Sequence, residues 1–122
     1  MIALLTALAG GLGAVVRFLV DGWLGRFGQR LGVPIGTVAI NVTGSFLLGV
    51  LTGWWMFRGP DPGWRLVLGT GFLGGYTTFS AASVEAARLA RAGRGWWLLA
   101  HAGGQLLLSV AGAALGLWLA AG

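Results

Sequence analysis

Four apolar blocks, separated by short stretches that hold most of the charge, constrain this chain more than any other feature. They run over Ile2–Val20, Val33–Phe57, Leu66–Val84 and Trp96–Ala121. At about 1.5 Å of rise per residue, each is long enough as a helix to cross roughly 30 Å of hydrocarbon. A helix also satisfies its own backbone hydrogen bonds, which lipid cannot do for it. The expected architecture is therefore an all-α membrane protein of four transmembrane helices, forming one domain over residues 1–122. The connectors are marked by Gly25 to Arg30, Arg58 to Gly63 and Arg91 to Arg94. They are short, so consecutive helices are antiparallel neighbours.

Composition agrees with this reading and excludes others. Only 9% of the residues are charged and 57% are hydrophobic, too little polar material to coat a soluble domain of 122 residues. The net charge of +5 comes from 8 basic residues, all arginine, most of them between the apolar blocks. Arginines beside lipid headgroups account for that pattern, and no contiguous basic stripe exists for nucleic acid. The absence of cysteine removes disulfides and thiolate metal sites. The first block lacks a basic leader and reads as a span rather than a signal peptide. Trp23, Trp54, Trp55, Trp64, Trp96 and Trp97 fall at the predicted span ends, where an amphipathic ring prefers the headgroup layer.

Polar residues inside the blocks carry the functional signal. The third block contains Gly74-Gly75-Tyr76-Thr77-Thr78-Phe79-Ser80, a polar knot at bilayer depth. The glycine pair weakens the helix, and the threonine hydroxyls can satisfy freed carbonyls, so the third helix is expected to break near its middle. A break presents carbonyls to a cation and aims the positive end of the following half-helix at an anion. Phe79 adds an electropositive ring edge, although packing is the ordinary role of such a residue. In the second block Asn41 has Thr37 one turn before it and Gly44-Ser45 one turn after, and its amide serves equally as interhelical glue or as part of a pathway. In the fourth, His101, Gln105 and Ser109 recur every four residues, which describes either a helix seam or a cavity wall. Arg17 either snorkels to the interface or pairs with Asp21, Asp61 or Glu85, and Glu85 equally suits a vestibule. The sequence has no nucleophile–base pair or paired carboxylates to support an enzyme. Four short helices can hardly enclose a polar path alone, so an oligomer, most simply a dimer, is expected.

Three ordered motifs resemble the Fluc (CrcB) fluoride channel family over nearly the whole chain. They are Gly10-Gly-x-Gly13-Ala-x-x-Arg17-Phe18, then Gly36-Thr37-x-x-x-Asn41-x-x-Gly44-Ser-Phe-x-x-Gly49, then Gly74-Gly-x-Thr77-Thr-Phe79-Ser80 through Glu85. The resemblance implies an antiparallel dual-topology dimer in the cell (inner) membrane that exports fluoride passively and lowers its toxicity. It implies pore roles for Phe79 and Asn41, and a structural sodium ion at the dimer interface held by backbone carbonyls of Gly74 and Thr77. Fluoride is small and tightly hydrated, so dense donors such as Asn41, Ser80 and Ser83 must replace its water. Thr37, His101 and Ser109 complete the expected anion pathway. The chain departs from the family pattern at Ala81 and Ala82, the latter where a second pore Phe is typical. It departs again at His101, where Tyr is common, and at Gln105, where a small hydroxyl residue is usual.

Charge placement leaves a second arrangement open. Arg26, Arg30, Arg88, Arg91 and Arg94 lie on one predicted side, and Arg58 and Arg65 on the other. Dual-topology chains are expected nearer balance. The homodimer is the leading expectation, and a weakly conducting or non-conducting subunit of a heterodimeric channel is the alternative. A proton-coupled small multidrug exporter ranks lower, because the interior of the first span has no carboxylate.

Overall fold

The computed structural model describes the chain except residues 32–34, 60–61 and 78, and at 28–31, 79–81 and 85 it describes the backbone alone. The described residues are predominantly helical and contain no strand. In chain order they form α1 (Ile2–Leu31), α2 (Ile35–Arg58), α3 (Pro62–Arg65), a π-helical segment (Leu66–Leu73), α4 (Gly74–Tyr76), α5 (Phe79–Arg91) and α6 (Gly95–Ala121). Among the described residues three helices are long and apolar enough to cross a membrane, over Ile2–Phe27, Ile35–Arg58 and Gly95–Ala121.

The structure departs from the sequence expectation in α1 and in the third block, whose helical elements reach from Pro62 to Arg91 rather than from Leu66 to Val84. Helix α1 runs on to Leu31, so Gly25 to Arg30, read as a connector, is helical. The polar residues there mark the end of the apolar block, and polarity alone does not end a helix. No proline interrupts the chain before Pro34. The third block, expected as one broken helix, is a succession of α3, the π-helical segment, α4 and α5. Its break falls at Thr77, which is extended at φ −78° and ψ 155°. Both the Thr77 N–H and its Oγ1 donate to the Leu73 carbonyl at 2.9 Å, so the helix end is closed by the residue that leaves it. The wider turns before it were not signalled by the sequence. There the Gly74 N–H reaches back to the Gly69 carbonyl, five residues earlier.

The other ends follow standard glycine chemistry. Gly59, at φ 59°, ends α2 and donates to the Trp55 carbonyl at 3.1 Å. Gly93, at φ 71°, ends α5, donating to Ala90 while Arg94 donates to Leu89, the paired bonds of a Schellman motif.

Helices pair through glycines that admit a neighbouring backbone. Along α2 and α6 the contacts advance together, from Gly112 against Val42 to Gly116 against Phe46 and Gly53 against Leu117 and Ala120, so these helices run parallel. A Cβ at Gly49 would collide with the Ala113 carbonyl. Helix α1 pairs in the same sense with the third block, where Gly71 meets Thr6 and Gly75 meets Gly10. Asp21 lies against Gly36, placing its carboxylate beside the first turn of α2, where a helix favours negative charge. At the opposite end of α2, Arg58 donates to the Ala120 carbonyl of α6 at 3.0 Å. The buried large apolar residues among those described are few: Ile40, Leu51, Leu73, Tyr76 and Leu89. Large apolar side chains such as Phe18, Leu107 and Trp118 point outward instead. That outward face suits lipid or another apolar partner far better than water.

Candidate functional site: a polar cavity between α2, α5 and α6

Beside the break at Thr77 lies a cavity of about 560 Å³ between the third block and helices α2, α5 and α6. Helix α2 contributes Asn41, Gly44 and Ser45, and α6 contributes His101, Gln105 and Ser109. The four-residue spacing on α6 places all three side chains on one face, and the close parallel pairing of the two helices brings Asn41 opposite them. Helix α5 adds Ala82, Ser83 and Ala86, while Gly74 and Thr77 approach from the break.

A hydrogen bond ties two of the walls together. Asn41 Nδ2 donates to Gln105 Oε1 at 2.6 Å, across 64 residues of sequence. The amide of Asn41 is thus both interhelical glue and part of the cavity lining, two roles that the sequence left as alternatives. The α6 stripe is likewise a seam and a cavity wall at once. His101 is buried, at 6% exposure. The described lining contains amides, hydroxyls and an imidazole but no carboxylate or guanidinium. Amide and hydroxyl donors can replace part of an anion's hydration without trapping it as a fixed charge would. Helix α5 begins at Phe79, so the positive end of its dipole lies within a turn of Ala82 and Ser83.

The structure therefore brings together Asn41, Ser83, His101, Ser109, Gly74 and Thr77. Thr37 does not line the cavity; it sits one turn below Asn41 in the packed part of α2, at 2% exposure. Arg17 is half-buried on α1, away from the lining. The side chains of Phe79, Ser80 and Glu85 lie outside the described residues, as does all of Thr78. Gln105 had not been placed among the expected pathway residues, although its position in the α6 stripe was signal enough. A second polar contact carried no such signal: the Thr43 hydroxyl meets the Tyr76 hydroxyl at 2.9 Å. That bond fastens α2 to α4 just ahead of the break, and Tyr76 also stacks on Phe72.

Membrane-length apolar helices packed around a cavity of amide and hydroxyl donors define a small membrane protein built to pass a polar solute or ion. Residues 4–118 match the model of the family described as CrcB-like protein, Camphor Resistance (CrcB). The chain belongs to the CrcB family. It is 50% identical over 119 residues to "Fluoride-specific ion channel FluC 1" of Leifsonia xyli subsp. xyli, covering 98% of this chain and 86% of that protein. It is 48% identical over 123 residues to "Fluoride-specific ion channel FluC 2" of Cutibacterium acnes, covering 98% and 97% respectively. A third relative, "Fluoride-specific ion channel FluC" of Novosphingobium aromaticivorans, is 45% identical over 116 residues, covering 91% of this chain and 89% of that protein.

Proposed function

We infer that this protein is a fluoride-selective ion channel, and that it lets fluoride leave the cytoplasm passively and so lowers its toxicity. The observation that carries the reading is the cavity at Asn41 lined by amide and hydroxyl donors, in a chain of the CrcB family with relatives named as fluoride channels. A channel needs only a path and a gradient, so it requires neither an enzyme's reacting groups nor the carboxylate of a proton-coupled exporter. Fluoride enters the cavity past the α5 N-terminus and exchanges water for Asn41, Ser83, His101 and Ser109. Phe79 and Ser80 extend that path, and Thr37 supports Asn41 from one turn below.

The working unit is an antiparallel homodimer of four-crossing subunits in the cell membrane, with the interrupted third block as one crossing. The exposed apolar faces and the small core support a partner within the bilayer. A sodium ion belongs to this assembly as a structural element. The Gly74 and Thr77 carbonyls would hold it: backbone oxygens are suitable hard ligands, and Thr77 stands where the helix stops. When bound, that ion supplies positive charge to the surrounding dipoles. Arg17 and Glu85 are assigned to structural or vestibule roles.

The five-to-two arginine distribution favours one second reading, in which the chain has a fixed orientation and pairs with a different subunit. Fluoride efflux from liposomes containing the purified chain tests the first reading. Efflux indifferent to chloride and to any other ion gradient is the expected result, whereas flux arising only with a co-expressed relative would select the second.

A further inference from the structure

The 2.6 Å bond from Asn41 Nδ2 to Gln105 Oε1 lies on the wall of the cavity, where a donor would otherwise face an incoming anion. An amide nitrogen has two hydrogens to give, and this contact directs one of them at a side-chain carbonyl. A carbonyl oxygen is a partly negative acceptor, so it takes the same place on that N–H as a fluoride ion. We propose that Gln105 is an affinity-determining residue of the pathway, its Oε1 acting as a tethered competitor for the Asn41 amide. The proposal rests on the reading of this cavity as an anion path.

The surroundings permit the exchange. Gln105 is half-buried and faces the cavity, whose lining includes the small residues Ala82, Ala86 and Ala102. Its side chain has open volume to turn into, and with no carboxylate or guanidinium in the described lining there is no strong charge to hold it there. Fluoride reaches that N–H when Gln105 turns away and loses it when Gln105 returns. The apparent affinity is then the intrinsic affinity multiplied by the fraction of time that Gln105 stands aside. Removing the competitor raises that fraction. A weak interhelical bond of this kind corresponds to a change of about threefold.

The test is fluoride efflux from liposomes containing the full chain, measured over a range of internal fluoride concentrations. Gln105→Ala removes the competitor, and Gln105→Met does so while keeping length and volume against α2. Both are expected to lower the half-saturating fluoride concentration about threefold, with the maximal rate retained. A bond that serves only to hold the helices would instead leave half-saturation in place and reduce the maximal rate. An unchanged or raised half-saturating concentration in both variants overturns the proposal. Asn41→Ala run in parallel separates the two levels: loss of efflux there keeps the anion path and isolates any failure to Gln105, whereas wild-type efflux removes the path and the proposal together. A wild-type chain that is silent alone removes the homomeric anion path on which the proposal rests, and the proposal with it.

Discussion

Asn41 carries the pathway assignment at the scale of single residues, because it is the amide that the cavity and the α2–α6 seam share. Replacing it with aspartate keeps the size but sets a negative charge against the anion. Asn41→Asp is expected to abolish fluoride efflux, read with a fluoride electrode, while the protein still elutes as the wild type does in detergent. Ala82 offers the opposite experiment, since it lines the same open volume and leaves it unfilled. Ala82→Phe is expected to preserve or raise efflux, and a dead channel would show that His101 or Gln105 already needs that space. The Thr43–Tyr76 contact is a matter of stability rather than conduction. Its loss in Tyr76→Phe should cost about 0.6 kcal/mol, to be read from the unfolding midpoint in mixed detergent. The residues legible in advance were those marked by local spacing: His101, Gln105 and Ser109 repeat every four positions. Thr43 and Tyr76 are 33 residues apart, and no periodicity links two residues that meet only when separate helices pack.

Helices in this molecule are matched by where their glycines face a neighbour and where they do not. Gly116 and Gly49 sit against the backbone of the partner helix, as does Gly75 against Gly10, so a branched side chain at any of them must push a whole helix aside. Gly49→Val and Gly75→Val are therefore expected to yield aggregated or unfolded protein on size-exclusion chromatography. A Cβ at Gly11 or Gly104 meets nothing within 4 Å, and Gly11→Ala and Gly104→Ala should elute as the wild type does. Helix ends at Gly59 and Gly93 were readable because a left-handed residue there is locally specified. The π-helical turns of the third block were not, because no local residue pattern marks them. The extent of α1 was misread for a different reason. Apolar blocks report the thickness of the surrounding hydrocarbon, and a helix may continue past it into polar residues.

Among the described residues few large apolar side chains are buried and many face outward, so the stability of the whole molecule depends on what surrounds it. An antiparallel homodimer requires the chain to insert in both orientations. Because the sequence has no cysteine, a single Ala92→Cys substitution in the turn after α5 reports orientation without background. Labelling by a membrane-impermeant thiol reagent is expected for about half of the molecules, as dual insertion requires; labelling of all or none would favour the fixed orientation suggested by arginine asymmetry. By itself the sequence determined that the chain is helical and suited to a membrane, because hydropathy and block length are properties of contiguous residues. It also marked the polar knot and the α6 stripe, since both are local patterns. Only the tertiary structure decided that the break falls at Thr77 and that Asn41 gives a hydrogen to Gln105. Those outcomes depend on the register of α2 against α6 and of α1 against the third block, and register is set by glycine contacts between distant segments.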